Sequence, residues 1–242
     1  MSIPCFSAYY NRKFDNSTNT ILKSHARRRA LVDHELERYL TDHLDPNDEK
    51  VQQLENYAKE NRVPIMEPLG IDFLMQMVRL KQPNNILEIG TAIGYSALRM
   101  LEANPSARIV TIERDEIRYN EAVRNVQAWG KQQQMDLLFG DALEMENEAK
   151  LKGPYDLLFI DAAKGQYKRF FEIYSQYLTD DALIISDNVL FKGMVVSQTN
   201  EKNRLNNVAK KLRSFNDWLM ELPEYKTTIV PIGDGIAITV KR

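Results

Sequence analysis

Ile86-Leu87-Glu88-Ile89-Gly90-Thr91-Ala92-Ile93-Gly94-Tyr95-Ser96 is a short apolar run that breaks at a glycine turn and continues into a helical pattern. A strand that hands the chain through a tight turn to a helix N-terminus is the opening unit of an open α/β sheet. Gly90 permits the turn and, lacking a Cβ, lets a ligand approach the backbone. The spacing is not G-x-G-x-x-G, which argues against a dinucleotide held by its diphosphate. A cofactor with a sulfonium and an amino-acid end needs a cradle of this kind instead.

Outward from this segment the pattern repeats. Apolar runs at Ile86–Ile89, Arg108–Glu113, Met135–Phe139, Tyr155–Ile160 and Ala182–Ser186 are each bounded by turn residues, with helical patterns between them. Strands alternating with helices predict right-handed crossovers and a mostly parallel sheet with helices on both faces. Buried strands of such a sheet should be apolar throughout, as Leu157–Ile160 is. Val208, Leu212, Phe215, Leu219 and Leu222 then mark a helix over 208–222. Thr227–Ile232 and Ile236–Lys241 flank Gly233-Asp234-Gly235, predicting a terminal hairpin with an antiparallel last strand. Upstream, helices are predicted over 32–44 and over 46–62, the second with Asp45 as N-cap and Pro46 at its first position. A third, with Leu69, Phe73, Met77 and Leu80 as its apolar stripe, stops before Pro83.

The chain has 242 residues, 43% hydrophobic and 27% charged, with a net charge of −2. One α/β domain over residues 31–242 fits that length, and no apolar run approaches the ~20 residues of a membrane span. Cys5 is the only cysteine, which excludes an intramolecular disulfide and points to the cytoplasm. Residues 1–30 carry six basic groups and one acid, so the remainder stands at −7. That acidic body argues against broad nucleic-acid binding and leaves room for a local basic rim. The Arg-, Asn- and Ser-rich residues 1–30 show no apolar period and read as a disordered extension; an organelle presequence and an RNA-touching arm are the other readings.

Candidate site residues gather at the carboxyl ends of the predicted strands, the edge where open α/β sheets bind ligands. Glu113 ends the second strand 19 residues after Gly94, where an acid accepts hydrogen bonds from ribose hydroxyls. Asp141, in Gly140-Asp141-Ala142 after the third strand, suits an adenine amino group. Each has a plainer reading: Gly90 and Gly94 as turn and packing glycines, Glu113 and Asp141 as helix N-caps. Taken together they predict a nucleoside-type cofactor. Asp161 ends the fourth strand, three residues before Lys164, and Asp187-Asn188 ends the fifth. Asp161, Asp187 and Asn188 offer oxygen alone, which selects a hard cation, Mg²⁺ first and then Mn²⁺ or Ca²⁺. A substrate with adjacent oxygens would chelate such an ion, and Lys164 would take a proton or hold an oxyanion if burial lowered its pKa from ~10.4. The plainer readings are a turn for Asp187-Asn188 and a solvated surface lysine for Lys164.

The segments 86–96, 159–167 (Phe-Ile-Asp-Ala-Ala-Lys-Gly-Gln-Tyr), 185–193 (Ile-Ser-Asp-Asn-Val-Leu-Phe-Lys-Gly) and 231–238 together resemble the metal-dependent class I O-methyltransferases that include the catechol and caffeoyl-CoA enzymes. The resemblance covers about residues 32–242. It implies a Rossmann-like fold with a seven-stranded sheet, S-adenosylmethionine as cofactor, Asp161, Asp187 and Asn188 as metal ligands, and Lys164 as the base. It also implies cofactor contacts from Met66, from Glu88, Gly90, Gly94, Tyr95 and Ser96, and from Glu113, Asp141, Ala142 and Asp161. A homodimer is implied as well. Within the family, residues 161–167, 187–193 and 63–68 look most like the bacterial tRNA 5-hydroxyuridine methyltransferases, which act at the wobble position of the anticodon loop. 5-Hydroxyuracil sets a hydroxyl beside a carbonyl and would chelate a metal as a catechol does. Lys164, Lys168, Arg169, Lys192, Lys202, Arg204, Lys210, Lys211 and Arg213 are the candidate phosphate contacts. A solvated helix face explains several of them equally well. Methylation of a small catechol or caffeoyl-CoA-like acceptor is the alternative.

Overall fold

In the computed structural model the described residues are 35–196 and 203–242, so the predictions for residues 1–34 and for Lys202 lie outside them. The chain divides into two compact units, 1–45 and 46–242. In the first, residues 35–41 are helical.

The second unit opens with α1 (Glu49–Glu60), whose start is set by Asp48: its carboxylate accepts from the Val51 amide at 2.9 Å. The expected cap, Asp45 with Pro46, is three residues too early. Asn47 is instead drawn aside, its amide donating to Glu55 at 2.8 Å. A cap of this kind contributes about 1 kcal/mol. α2 (Pro68–Lys81) carries Pro68 at its first turn and ends at Gln82, before Pro83. Its buried face is Ile71, Leu74, Met75 and Val78. Phe73 and Met77 are only half-buried and Leu80 is 70% exposed, which corrects the predicted stripe. Apolar residues occur around most of this helix, so spacing alone could not choose its inner face.

The sheet follows: β1 (Asn85–Ile89), α3 (Tyr95–Ala103), β2 (Arg108–Glu113), α4 (Glu116–Ala128), β3 (Met135–Phe139), α5 (Glu146–Lys150), β4 (Tyr155–Ile160), α6 (Tyr167–Tyr174), β5 (Leu178–Ser186), α7 (Arg204–Glu221), β6 (Tyr225–Val230) and β7 (Ile236–Lys241). Strand order is β3-β2-β1-β4-β5-β7-β6. β1 to β5 pair in parallel, and β7 runs antiparallel between β5 and β6. The predicted parallel sheet with a terminal hairpin is what forms. β5 is longer than its apolar run because Thr179, Asp180 and Asp181 extend it at the polar end, where Lys241 and Lys81 pair with the two aspartates. α7 likewise begins four residues early, capped by Asn203 on the Asn206 amide at 2.8 Å.

Alternate residues of each strand feed two separate cores. Ile86, Ile109, Leu157, Phe159 and Ile185 pack with α1, α2 and α3 on one face; Leu87, Ile89, Ile112, Leu158 and Ile160 pack with α6 and α7 on the other. Each fully buried Leu or Ile contributes about 1.5–3 kcal/mol. Both faces of the central strands β1, β4 and β5 are therefore covered among the described residues, which leaves their ends for a polar ligand. No helix among the described residues is long and apolar enough to cross a membrane.

Candidate active site

The carboxyl ends of β1 to β5 open on a cavity of about 540 Å³, within the size range of small-molecule sites. Its floor is made by the turn after β1. Gly90 has φ +104, and a Cβ there would lie 2.1 Å from the backbone oxygen of Asp161. The exits of β1 and β4 therefore touch, and only glycine permits it.

The turn is tied to its neighbour by Glu113, at the end of β2. One carboxylate oxygen accepts from the Ala92 amide at 2.8 Å, the other from the amides of Arg114 and Asp115 at 2.9 and 2.8 Å. Glu113 is not the cap of α4; Asp115 is, accepting from Arg118. Asp141 caps no helix either: it closes a turn on the Leu143 amide at 2.9 Å and meets Arg114 at 3.2 Å, a largely exposed pair worth at most about 1 kcal/mol. Met66, Gly90, Tyr95, Ser96, Glu113, Asp141, Ala142 and Asp161 all lie on the cavity wall.

Glu88 and Gly94 do not line this wall. Glu88 is fully buried on the α3 face of β1, accepting from Ser96 at 2.5 Å and from Thr111, which is itself bonded to Thr91 at 2.6 Å. Burial pushes its carboxyl up to about 7 against the pull of the two hydroxyls, with the charges of Asp161 and Glu113 adding to the rise. Gly94 caps α3 at φ +85, where a Cβ would meet Ala122 only at an ordinary contact of 3.6 Å; the backbone conformation, not crowding, favours glycine there. Tyr95 turns its hydroxyl away to Glu55 at 2.8 Å and presents its ring.

At the other end of the cavity the parallel ladder continues one residue past β4 and β5. The Asp161 amide donates to Ile89 and the Asp187 amide to Ile160, both at 3.0 Å. This brings two carboxylates to adjacent positions. Asn188 follows at φ +57, a left-handed conformation that asparagine tolerates better than most residues. Its own amides donate to Asp187 at 2.7 and 3.1 Å, and its side-chain oxygen accepts from the Lys164 ammonium. Burial pushes both aspartic carboxyls up, and the Asp161 charge raises Asp187 further; Lys164 pulls both the other way. A buried carboxylate and a half-buried one thus face one lysine, and with Asn188 the donor atoms are all oxygen. That deficit of positive charge and that donor set fit a hard divalent cation at Asp161, Asp187 and Asn188.

Sequence reasoning gave Asp234 no role in the site: it read the residue as part of a hairpin turn and of the resemblance segment 231–238. Asp234 lines the cavity, its charge raises Asp187, and its carbonyl accepts from Leu190 and Phe191. Phe191 also lies on the wall. The candidate phosphate contacts divide. Lys192, Arg169, Arg204, Lys210 and Lys211 are exposed. Lys168 instead stands 4.8 Å over the Trp218 ring and pairs with Glu172 at 3.7 Å, and Arg213 donates to the Val195 carbonyl at 2.6 Å.

The model of a family described as O-methyltransferase matches residues 42–242. A catechol O-methyltransferase from Niastella koreensis is 30% identical over 221 residues, 87% of this chain and 96% of that one. Caffeoyl-CoA O-methyltransferase 2 of Populus trichocarpa is 28% identical over 178 residues, covering 69% and 70%. Among solved structures, a provisionally assigned caffeoyl-CoA O-methyltransferase from Staphylococcus aureus superposes with a TM-score of 0.76 at 35% identity, over 90% of this chain and all of that one. An O-methyltransferase from Bacillus cereus in complex with SAH gives 0.75 at 25% identity, over 86% and 97%. Fold, sheet-edge cavity and sequence agree over nearly the whole length: the chain belongs to the O-methyltransferase family.

Proposed function

We propose that the protein moves the methyl group of S-adenosylmethionine, with Mg²⁺ (or Mn²⁺ or Ca²⁺) at Asp161, Asp187 and Asn188, to a hydroxyl beside a second oxygen. The acceptor we propose is 5-hydroxyuridine at the wobble position of a tRNA anticodon loop, giving 5-methoxyuridine. The observation that carries the reading is the contact between Gly90 and the Asp161 backbone. It makes the cofactor turn and the carboxylate–lysine group two walls of one cavity, so donor and acceptor would meet there.

In this reading Glu113 accepts from the ribose hydroxyls, Asp141 faces the base, and Ser96 with the Gly90 turn cradles the amino-acid end. A bound divalent cation supplies the missing positive charge and lowers the pKa of a hydroxyl it holds. Lys164, in its neutral form, takes the proton of that hydroxyl at Nζ and becomes the ammonium, and Asn188, the hydrogen-bond partner of Nζ, fixes where that ammonium sits. Holding the oxygen in line with the sulfonium methyl is worth much of the barrier. The relative in complex with SAH supports the cofactor.

A nucleobase acceptor is supported by Phe191, a flat ring on the wall beside Asn188 and Lys164, on which a base would stack. It is supported too by Lys211, whose ammonium lies against Gly165, the residue after Lys164. The alternative, a catechol or caffeoyl-CoA-like acceptor, is favoured by what the curated relatives are called. Both use the same residues at the reacting end. We take the active form to be a homodimer by family resemblance, which light scattering checks.

The test is transfer of labelled methyl from S-adenosylmethionine, with Mg²⁺ or with EDTA, to tRNA carrying 5-hydroxyuridine and to a simple catechol. Mg²⁺-dependent label in the tRNA with little in the catechol supports the RNA reading. Label in the catechol alone moves the acceptor to a small molecule, and equal label in EDTA removes the cation.

A further inference from the structure

The two ends of the cavity are built on loops that have left the sheet, and their carbonyls no longer have ladder partners. A buried carbonyl needs a donor, and the group that supplies it fixes the peptide plane. Two of these carbonyls are reached by the same short helix. The Tyr167 hydroxyl, at the first residue of α6, donates to the Asp187 carbonyl at 3.0 Å. The Tyr174 hydroxyl, at its last residue, donates to the Ala142 carbonyl at 2.6 Å. Both tyrosines are buried, at 1% and 0% exposure. Seven residues make almost two complete turns and about 10 Å of rise, so the two hydroxyls leave one face of the helix that far apart. Neither ring is free to turn away: Tyr167 packs edge-on against Phe215 at 5.6 Å, and Tyr174 is enclosed in the core beneath the sheet.

The consequence at each end is local. Asp187 must present its carboxylate beside Asp161 while the next residue, Asn188, is held at φ +57. A left-handed residue keeps that conformation only when its flanking peptides are fixed. Tyr167 fixes the peptide before Asn188, and the Gly235 carbonyl fixes the one after it by accepting from the Val189 amide at 2.9 Å. At the far end the Ala142 peptide lies inside the turn that Asp141 closes on Leu143.

We propose that Tyr167 and Tyr174 are positioning residues, with α6 acting as a spacer that holds the reacting end and the cofactor end of the cavity independently, Tyr167 serving the Asp187–Asn188 turn and Tyr174 the Asp141–Ala142 turn. Neither tyrosine lines the cavity. The proposal rests on the reading of these two ends as cation and cofactor sites.

The test uses Tyr167→Phe and Tyr174→Phe in the full chain, each removing one hydroxyl and keeping the ring. Tyr155→Phe is the control: its buried hydroxyl bonds the Ala149 carbonyl at 2.6 Å in the same way, at the start of β4 and away from the cavity. Mn²⁺ binding is read by electron paramagnetic resonance, S-adenosylhomocysteine binding by calorimetry, and unfolding by thermal melts. Tyr167→Phe should weaken Mn²⁺ by about tenfold and leave S-adenosylhomocysteine within about twofold. Tyr174→Phe should weaken S-adenosylhomocysteine by about threefold or more and leave Mn²⁺ unchanged. Tyr155→Phe should lower the melting temperature and move neither constant. If the two site variants behave like the control, or each moves both constants together, the tyrosines are structural and the proposal fails. A parent protein that binds neither probe overturns the site reading itself, and the proposal with it.

Discussion

Substituting Gly90 by alanine tests the geometry on which the site depends. Two penalties add at this position. The backbone sits at φ +104, beyond the left-handed region near +57 that other residues occupy at a cost of about 1–2 kcal/mol. The new methyl would also lie 2.1 Å from the Asp161 carbonyl oxygen, a backbone atom in mid-sheet that has no rotamer to escape into. Forcing a carbon into such packing costs about 1–3 kcal/mol. Together they destabilise the fold by about 2–5 kcal/mol, or a fall of about 5–15 °C in melting temperature for a chain of this size. Gly130 isolates the second penalty, because it too has a positive φ, +66, and yet a Cβ there meets nothing within 4 Å. Gly130→Ala should cost only about 1 kcal/mol. Urea melts of both variants give the comparison, with equal slopes showing that the denatured states match. If the two variants lose the same stability, the exits of β1 and β4 do not touch as described. A Gly90→Ala protein that keeps full affinity for S-adenosylhomocysteine would separately refute the role of this turn as the cofactor cradle.

Three other outcomes are expected. Asp187→Ala should lower methyl transfer by about a hundredfold or more while S-adenosylhomocysteine binding, measured by calorimetry with and without EDTA, stays within about twofold; unchanged turnover would take the cation out of the mechanism. Glu113→Ala should weaken the same ligand by about tenfold or more, since it removes a carboxylate that accepts three amides and, in the proposed function, the ribose hydroxyls; no change would move the ribose elsewhere. Glu88 should make stability depend on pH. Its carboxyl is raised from 4.5 to about 7 in the fold, so its contribution is complete below 4.5 and is lost as pH rises through about 7, a loss of about 3 kcal/mol. Glu88→Gln should flatten that part of the stability curve, and an unaltered curve between pH 4.5 and 7.5 would show that the carboxyl titrates normally.

Strands were legible because each has one signature, an apolar run ending at a turn, whether it is buried on both faces like β4 or half-exposed at the sheet edge like β3. Arg108–Glu113, Met135–Phe139 and Tyr155–Ile160 have the residue limits that the runs predict. Elements whose limits are set by polar contacts were not legible to the same degree. The start of α1 depends on which of Asp45 and Asp48 finds an amide, and the polar half of β5 depends on lysines about 60 and 100 residues away in sequence. The site follows the same division. Chain position at the strand ends was enough to bring Asp161, Lys164, Asp187 and Asn188 together. It could not tell the wall from what lies behind it. Glu88 and Gly94 belong to the same segment as Gly90, but alternation along β1 turns Glu88 into the α3 core and the helix start turns Gly94 against α4. Tyr174 gave no signal and Tyr167 stood out only as the last residue of a segment that carries the family resemblance, since an aromatic residue on an amphipathic helix reads as core whether or not its hydroxyl has work to do.

The two halves of the cavity differ in how complete they are. At the end proposed for the cofactor, three acids have their partners within the protein: Glu113 accepts three amides, Glu88 two hydroxyls, and Asp141 an amide and an arginine. Such a surface is set before a ligand arrives, and binding there costs little reorganisation. At the reacting end Asp161 and Asp187 repel one another in a buried setting, and Lys164 is the cation that offsets them both. That end gains most from added positive charge, whether from a divalent ion or from the sulfonium itself. The sulfonium loses its charge when the methyl leaves, so the pair of carboxylates favours the charged donor more than the spent one. In the proposed function, a fixed cofactor half and a charge-hungry reacting half would give an order: the cofactor seating on a ready surface, and the cation and acceptor completing the other.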